Sequence, residues 1–572
     1  MSLQNWPSAS PQLQVAIRTQ RDVSKPVPID QLVAPGLSLN SMVFEKEGYT
    51  LAALTDIASI IGVGVQNIML DLYWNEFTKK WQLCPAPFPV NATFNLNSTV
   101  NVTWNKKTYQ CAPSLTVNSL MEVINQYILG THTNMDVNLI QILLNLKSIH
   151  YINSNQTKHF ESAFISQNAT FNALGNSTLN DTFSAIGSYI FTPIDLANYR
   201  STSSSDLAYQ SFYNMTTSAL PSLETVLLTY FRRVFINVVS NELVGGERGY
   251  NFTASDNNTV FFRGDDLPST ITSNSDSEVL QECYNLENAP EVNLTAFNSL
   301  SLNTHFRYVI DNDKKPFSND TFVRYLRCGY SPILNASSYE VSTPSGVKQS
   351  SRLSEISNNF IPVSFWSWAP GEPVAMDSNS TYAAINNMSV EYVPESNDGS
   401  QVAYKCVAIS EDGWTVENCY KQYQYACQGI NSPHEWIIKG VRKQYFEAYK
   451  ETCPNGYKFS LPFSSVEMLS LVSSIRIQNA SYPVWIDLND ITVSDCFVSG
   501  GPYAECPYQR TVTEAKLASL IAPSFVVGVV VLVLIFMEKF IRVNPIQSNR
   551  KRYWKKTIQE YNKKHDYEGV PS

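Results

Sequence analysis

The sequence predicts an α/β protein with a parallel sheet covered by helices, continued by a disulfide-dense α+β region and followed by one membrane-spanning helix. Three observations carry this. Strand-like apolar runs alternate with amphipathic stretches over residues 13–330, six of the ten cysteines fall between 406 and 506, and residues 517–537 contain 21 positions without an ionisable group. Parallel strands need long crossovers, which helices fill, so repeated alternation of the two patterns points to a parallel sheet.

The runs are LQVAIR at 13, TLAALTDIASII at 50, VQNIMLDLYW at 65, VNSLMEVINQYIL at 117, VNLIQILLNL at 137, SLETVLLTYF at 222 and RVFINVVS at 233, those at 50 and 222 being helix-like. They fit either a barrel or a doubly wound sheet, here assigned to residues 1–334. Residues 85–112 and 151–216 are polar and carry N-x-S/T sequons, so they read as insertions in exposed loops. A Ser-rich stretch at 335–360 reads as a linker. Residues 361–508 are dense in cysteine, aromatics and turn formers, the composition of a small disulfide-stapled domain.

Residues 517–537 are long enough to cross a hydrocarbon core of about 30 Å, and Pro523 and Gly528 are tolerated in such helices. Lys516 precedes this segment, and Lys539, Arg542 and Arg550-Lys551-Arg552 follow it. Basic residues collect on the cytoplasmic side, so the tail 538–572 is expected in the cytoplasm and the rest in the lumen. That is a single-pass type I topology in a secretory-pathway membrane, with the endoplasmic reticulum as the expected location. The net charge of −9 divides along the same line: the tail has nine basic and four acidic residues, +5, which leaves −14 for everything before it. So acidic a surface disfavours direct binding of nucleic acid.

All ten cysteines (Cys84, Cys111, Cys283, Cys328, Cys406, Cys419, Cys427, Cys453, Cys496 and Cys506) precede the span, and their number is even, as disulfide pairing requires. Sixteen sequons also precede it, at Asn91, Asn97, Asn101, Asn155, Asn168, Asn176, Asn180, Asn214, Asn251, Asn257, Asn293, Asn319, Asn335, Asn379, Asn387 and Asn479, marking glycosylation acceptors. The N-terminus lacks the basic and apolar regions of a signal peptide. Either the recorded start is truncated or the chain is inserted by its C-terminal span. Tail charge and cysteine parity favour a missing signal.

No P-loop, G-x-G-x-x-G, H-E-x-x-H or C-x-x-C constellation occurs, and the six histidines (132, 150, 159, 305, 434 and 565) have no metal-ligand spacing. No cofactor and no metal are expected. The basic, aromatic tail either sits on anionic lipid headgroups or is a solvated stop-transfer flank.

The segments RTQRDVSKPVPIDQLVAPGLSLNSM and GVQNIMLDLYWNEFTKKWQLCP resemble the first two strands of the phospholipase C-like phosphodiesterase barrels. The resemblance implies a (β/α) barrel in which a turn carries a catalytic histidine and the next strand ends in an acidic site. Here Ser38 stands at the histidine position, and serine cannot supply a base near neutral pH. Asp71 ends its apolar run, where a barrel strand presents a ligand, but Tyr73 at i+2 leaves it without a second acid. Asp71 is the one catalytic candidate, weighed against a hydrogen-bonded structural acid.

FWSWAPGEPV at 365 and KCVAISEDGWTVENCYKQYQYACQ at 405 resemble the second half of a C-type lectin-like domain. YFEAYKETCPNGYKFSLPFSSVEMLSLV and VWIDLND at 484 resemble its first half, so the halves stand in permuted order. This resemblance implies Cys406 with Cys419 and Cys427 with Cys453; proximity then leaves Cys496 with Cys506, Cys84 with Cys111 and Cys283 with Cys328. The Ca²⁺-ligating amide and carboxylate positions are lost at Glu372-Pro373-Val374 and Trp414-Thr415-Val416, which disfavours Ca²⁺-dependent sugar binding. Trp366, Trp368, Trp414 and Trp485 are therefore expected in the core.

WPSASPQLQVAIRTQRDV, VWIDLNDITVSDCFVSGGPYAECPYQR and the final EGVPS are similar to the fungal maintenance of telomere capping protein 6 family, over essentially the full length. The family name implies a part in telomere capping, which an acidic luminal domain could serve only indirectly. The expected function is that of a non-enzymatic membrane glycoprotein that binds or stabilises membrane partners, whether membrane proteins or glycolipids. The alternative is a divergent phosphodiesterase acting on a lipid headgroup or glycolipid.

Overall fold

The computed structural model describes residues 9–565 except 77, 88, 91–98, 150–169, 172–174, 203–219, 244–248, 263–266, 268, 275–277, 303–305, 344–345, 375–404, 452 and 509–513. Eight parallel strands organise the first part: β1 (Gly36–Ser38), β2 (Asn67–Asn75), β3 (Ile140–Ser148), β4 (Val234–Glu242), β5 (Phe261–Phe262), β6 (Ser269–Ser273), β7 (Phe306–Ile310) and β8 (Ser331–Leu334). They lie in the order β5-β4-β3-β2-β1-β8-β7-β6. Sequence neighbours are thus spatial neighbours, and β8 returns to β1. This is barrel connectivity rather than a doubly wound sheet. Among the described residues β5 and β6 do not pair, so the barrel is partial, open at one seam.

Both faces of the sheet are covered, which is why β2 and β4 read as nearly continuous apolar runs. The lumen is filled rather than hollow. Phe235 of β4 stacks on Phe261 of β5 at 4.7 Å and meets Phe306 of β7 at 5.1 Å, with Met69, Leu143, Tyr308 and Ile333 in the same cluster. At Gly36 the strands approach so closely that a Cβ would stand 2.7 Å from Asn67 Cβ and 2.8 Å from its carbonyl oxygen. Only glycine fits there.

Several local expectations change. LQVAIR lies inside helix α1 (Pro11–Val23): the Ser10 side chain caps the Leu13 N–H and Pro11 opens the first turn, which outweighs the β-branched residues. The supposed linker 335–360 is folded, as a hairpin (Tyr339–Thr343 with Gly346–Ser350) and a helix (Leu353–Phe360). Tyr339, Val341, Leu353, Ile356 and Phe360 are buried, a spaced apolar set hidden among serines. Residues 85–112 include the hairpin Val100–Trp104/Lys107–Cys111. The described part of 151–216 includes packed side chains, since Leu179, Phe183, Ile186 and Leu196 are buried.

The cysteine-rich part forms a second sheet of β9 (Lys405–Ser410), β10 (Gly413–Asn418), β11 (Tyr423–Gly429), β12 (Ser432–Lys443), β13 (Tyr457–Phe459) and β14 (Val484–Asn489). The order is β10-β9-β14-β11-β12, with β13 on β11; all pairs are antiparallel except β11 with β14. Its helix Ser465–Ile477 packs on β12 and on the barrel-side helices Glu278–Glu287, Leu294–Leu302 and Asn319–Arg327. Ser465 Oγ donates to the carbonyls of Leu326 and Arg327 at 2.6 and 3.0 Å. The region up to Tyr508 therefore packs as one compact unit, with no separation at 335–360.

Five disulfides join Cys84–Cys111, Cys283–Cys328, Cys406–Cys419, Cys427–Cys453 and Cys496–Cys506. A second unit, from residue 509 onward, is the helix Glu514–His565. It contains the one helical window among the described residues that is long and apolar enough to cross a membrane, Ala522–Ile541.

Candidate functional site

The C-terminal ends of β1, β2 and β3 converge on one polar cluster. Side chains alternate along a strand, so Asp71 and Tyr73 project from the face of β2 that carries the lumen residue Met69. On β3, Asn145 and Lys147 share a face with Leu143. The register sets Asp71 opposite Asn145 and Tyr73 opposite Lys147.

The Asp71 carboxylate is taken up on both oxygens. Oδ1 accepts from Asn145 Nδ2 at 2.8 Å; Oδ2 accepts from Lys147 Nζ at 2.7 Å and from the Tyr73 hydroxyl at 3.4 Å. Its backbone N–H donates to Asn40 Oδ1 at 2.8 Å, which ties the loop after β1 to β2. Burial, and then the charge of Asp71, push the Tyr73 phenol far above its ordinary value. Tyr49, 3.5 Å from Asn40 Nδ2, is raised in the same way, chiefly by burial. Both phenols stay protonated; Tyr73 donates to Asp71, while the Tyr49 oxygen accepts from Asn40.

Ser38, which the sequence resemblance aligns with a histidine, is 1% exposed, and its Oγ accepts the Ser41 N–H at 3.4 Å. It faces into the packed turn rather than outward. His132 lies on the loop entering β3, at the opposite strand end, and His434 is buried in β12 beside Ser301 at 2.8 Å. Neither reaches Asp71. His150, His159 and His305 lie outside the described residues, and His565 ends the long helix. Among the described residues no group of three or more His, Cys, Asp or Glu could hold a metal ion.

Around this cluster stand groups that the strand pattern alone does not reveal. Lys46 Nζ lies 3.7 Å from Met42 Sδ, and burial lowers its pKa to about 8, against the opposing charge of Asp313. Lys107 pairs with Glu45 at 2.9 Å. Burial pushes Asp311, just past β7, up to about 7, although it accepts from the N–H groups of Phe317, Asn335 and Ala336 and from the Tyr339 hydroxyl. Asp311 knits the turns after β7 and β8. Lys147 and Asn145 could have been suspected from the polar alternation that ends ILLNLKS; Lys46 and Asp311 carry no comparable signal.

Trp414 and Trp485 of the second sheet, and Trp366 and Trp368 of the segment before it, are all 3% exposed or less, and Trp414 meets Trp366 and Trp368 edge-on at 5.5 and 5.6 Å. Glu372 Oε2 accepts the N–H groups of Val374 and Val416 at 2.9 and 3.4 Å, and burial raises its pKa. That oxygen serves the fold. Of the sequons, Asn101, Asn251, Asn257, Asn293 and Asn479 are exposed, while Asn176, Asn180, Asn319 and Asn335 are half-buried. Asn335 donates to the Asp311 carbonyl at 3.3 Å and accepts from Ser41 Oγ at 2.8 Å. Asn91, Asn97, Asn155, Asn168, Asn214, Asn379 and Asn387 lie outside the described residues.

A family model described as the MTC6 partial TIM-barrel domain matches residues 7–362. The chain is 47% identical over 597 residues to "Maintenance of telomere capping protein 6" of Candida albicans (strain WO-1), covering 100% of this chain and 96% of that one. It is 46% identical over 599 residues to the protein of the same name in Debaryomyces hansenii, with 100% and 96% covered, and 29% identical over 569 residues to that of Komagataella phaffii, with 99% and 97% covered. Among solved structures, a calcium-dependent phosphoinositol-specific phospholipase C from a Pseudomonas species is similar at a TM-score of 0.24 and 10% identity, covering 55% of this chain and 91% of that one. The phosphatidylinositol-specific phospholipase C of Listeria monocytogenes has a TM-score of 0.25 at 10% identity, with 61% and 98% covered.

Proposed function

Because the chain belongs to the maintenance of telomere capping protein 6 family, we propose that it is a non-enzymatic, single-pass type I membrane glycoprotein of the secretory pathway, with an indirect part in telomere capping. Its large luminal unit binds or stabilises membrane partners, either membrane proteins or glycolipids.

The observation that carries this reading is the Asp71 carboxylate, held by Asn145, Lys147 and Tyr73, beside a buried serine that the sequence resemblance aligns with a histidine. Both oxygens of this carboxylate are occupied by donors of the chain itself, and among the described residues no histidine stands at this cluster to serve as the acid or base such chemistry uses. The test is incubation of purified full-length protein with phosphoinositide and glycerophosphodiester substrates. No hydrolysis is expected; hydrolysis that Asp71→Asn abolishes would overturn the reading.

Topology is tested separately. Endoglycosidase treatment should shift the protein's mobility, with exposed Asn293 and Asn479 among the acceptors and Asn335, whose amide is engaged, not among them. Crosslinking in intact membranes followed by mass spectrometry would name the partners.

One observation favours the second reading, a divergent phosphodiesterase acting on a lipid headgroup or glycolipid. Lys46, brought to about 8 by burial near the strand ends, titrates close to neutrality and could take a proton-transfer role. In that case Lys46→Met would abolish the hydrolysis that Asp71→Asn also removes.

A further inference from the structure

The helix Glu514–His565 continues for 24 residues past the candidate span Ala522–Ile541, about 36 Å at the helical rise. Trp554, Ile558 and Tyr561 are 59%, 55% and 65% exposed. Their spacing of i, i+4 and i+7 places them on one face. Residues 550–564 carry seven basic side chains and a single acid, Glu560. Lys551 and Arg550 flank the aromatic face, while Lys555, Lys556 and Lys563 occupy the sides and back. Pro545 falls between span and stripe, and proline removes a helical N–H and disfavours helix at the residue before it.

We infer that residues 550–564 form an interfacial helix lying on the anionic lipid surface where the span emerges, with Trp554, Ile558 and Tyr561 set among the headgroups. This rests on the membrane reading proposed above. An apolar face flanked by Lys551 and Arg550 on a strongly basic helix is the chemistry of an amphipathic helix at an acidic leaflet, where each basic residue near the surface adds attraction that salt screens. A helix standing off the membrane would instead leave an aromatic face in water. Trp and Tyr favour the headgroup level, where the ring is apolar on its face and polar at its edge.

The test uses full-length protein in vesicles of phosphatidylcholine alone and of phosphatidylcholine with phosphatidylserine, read as chymotryptic cleavage after Tyr553, Trp554 and Tyr561 on chains whose tail faces outward. Cleavage should be at least about tenfold slower with phosphatidylserine, and fast again at high salt. The triple variant Lys551→Glu/Lys555→Glu/Lys556→Glu, which keeps every cleavage site, should lose the protection. Equal cleavage in both vesicles overturns the inference and points to a free rod or a protein-bound helix. Equal protection in both overturns the requirement for anionic lipid. Release of the chain by alkaline carbonate reports failure of the membrane reading itself, independently of the cleavage pattern.

Discussion

The Tyr508 hydroxyl donates a 2.5 Å hydrogen bond to Asp22 Oδ2, joining residues 486 positions apart. The Tyr508 hydroxyl oxygen in turn accepts from Arg21 Nη2 at 2.5 Å, Arg21 and Lys25 pair with Asp22 Oδ1 at 2.8 and 2.9 Å, and the Arg18 guanidinium and Lys25 ammonium lie over the Tyr508 ring. Helix α1 is thereby fastened to the last residue of the large unit. Tyr508→Phe should cost about 1–2 kcal/mol: one charge-assisted network loses its bridging hydroxyl while Asp22 keeps two cations. Urea unfolding checks this. A double-mutant cycle with Asp22→Asn should show non-additivity, and strict additivity would mean the hydroxyl contributes nothing through Asp22.

Asp71 and Lys147 should behave as a structural couple. Their side chains are 12% and 30% exposed, so removing one partner leaves the other incompletely solvated. Lys147→Met and Asp71→Asn should each destabilise by about 1–3 kcal/mol, and the double variant by clearly less than the sum. Equal or larger loss in the double variant would show that the pair does not act as one unit.

His434 supplies a pH dependence of definite sign. Burial lowers its imidazole to about 4, its Nε2 meets Ser301 Oγ at 2.8 Å, and its ring stacks on Phe297 at 5.8 Å, between β12 and the barrel-side helix Leu294–Leu302. The unfolded chain binds this proton near 6.5 and the folded one only near 4. Stability is therefore full above pH 6.5 and falls as pH drops through that window, by on the order of 2–3 kcal/mol. Buried carboxylates with raised pKa, such as Asp311 and Glu372, act in the opposite direction. The informative measurement is therefore the difference between wild type and His434→Phe: its slope between pH 6.5 and 4 should be positive with pH, and a flat difference would refute the assignment.

The partial barrel was legible because VQNIMLDLYW and RVFINVVS are buried on both faces and so show unbroken apolarity. The apolar span and the even cysteine count are likewise properties of composition. What stayed hidden depends on distance in space. Tyr339, Val341 and Phe360 look like stray apolar residues in a Ser-rich stretch until their common burial is seen. Lys147 is an ordinary strand-end lysine until the β2/β3 register sets it beside Tyr73, within 2.7 Å of Asp71. Lys46 owes its lowered pKa to burial, which no local pattern records.

Gly36 offers the sharpest test of the closed side of the barrel. A Cβ there would meet Asn67 Cβ at 2.7 Å, the Asn67 carbonyl oxygen at 2.8 Å and Ile333 Cγ1 at 3.0 Å, so atoms of both neighbouring strands resist it at once. Backbone cannot swing aside as a flexible side chain can. Gly36→Ala must spread β1 from β2 and β8, and should cost about 1–3 kcal/mol or more. Gly130, the last residue of the helix Val117–Gly130, has nothing within 4 Å of its added Cβ, so Gly130→Ala should be neutral or stabilise by up to about 1 kcal/mol. Thermal unfolding of the two variants side by side separates a steric cost at the β1 seam from any general effect of replacing glycine. Equal midpoints would mean that β1 is not held at the spacing described here.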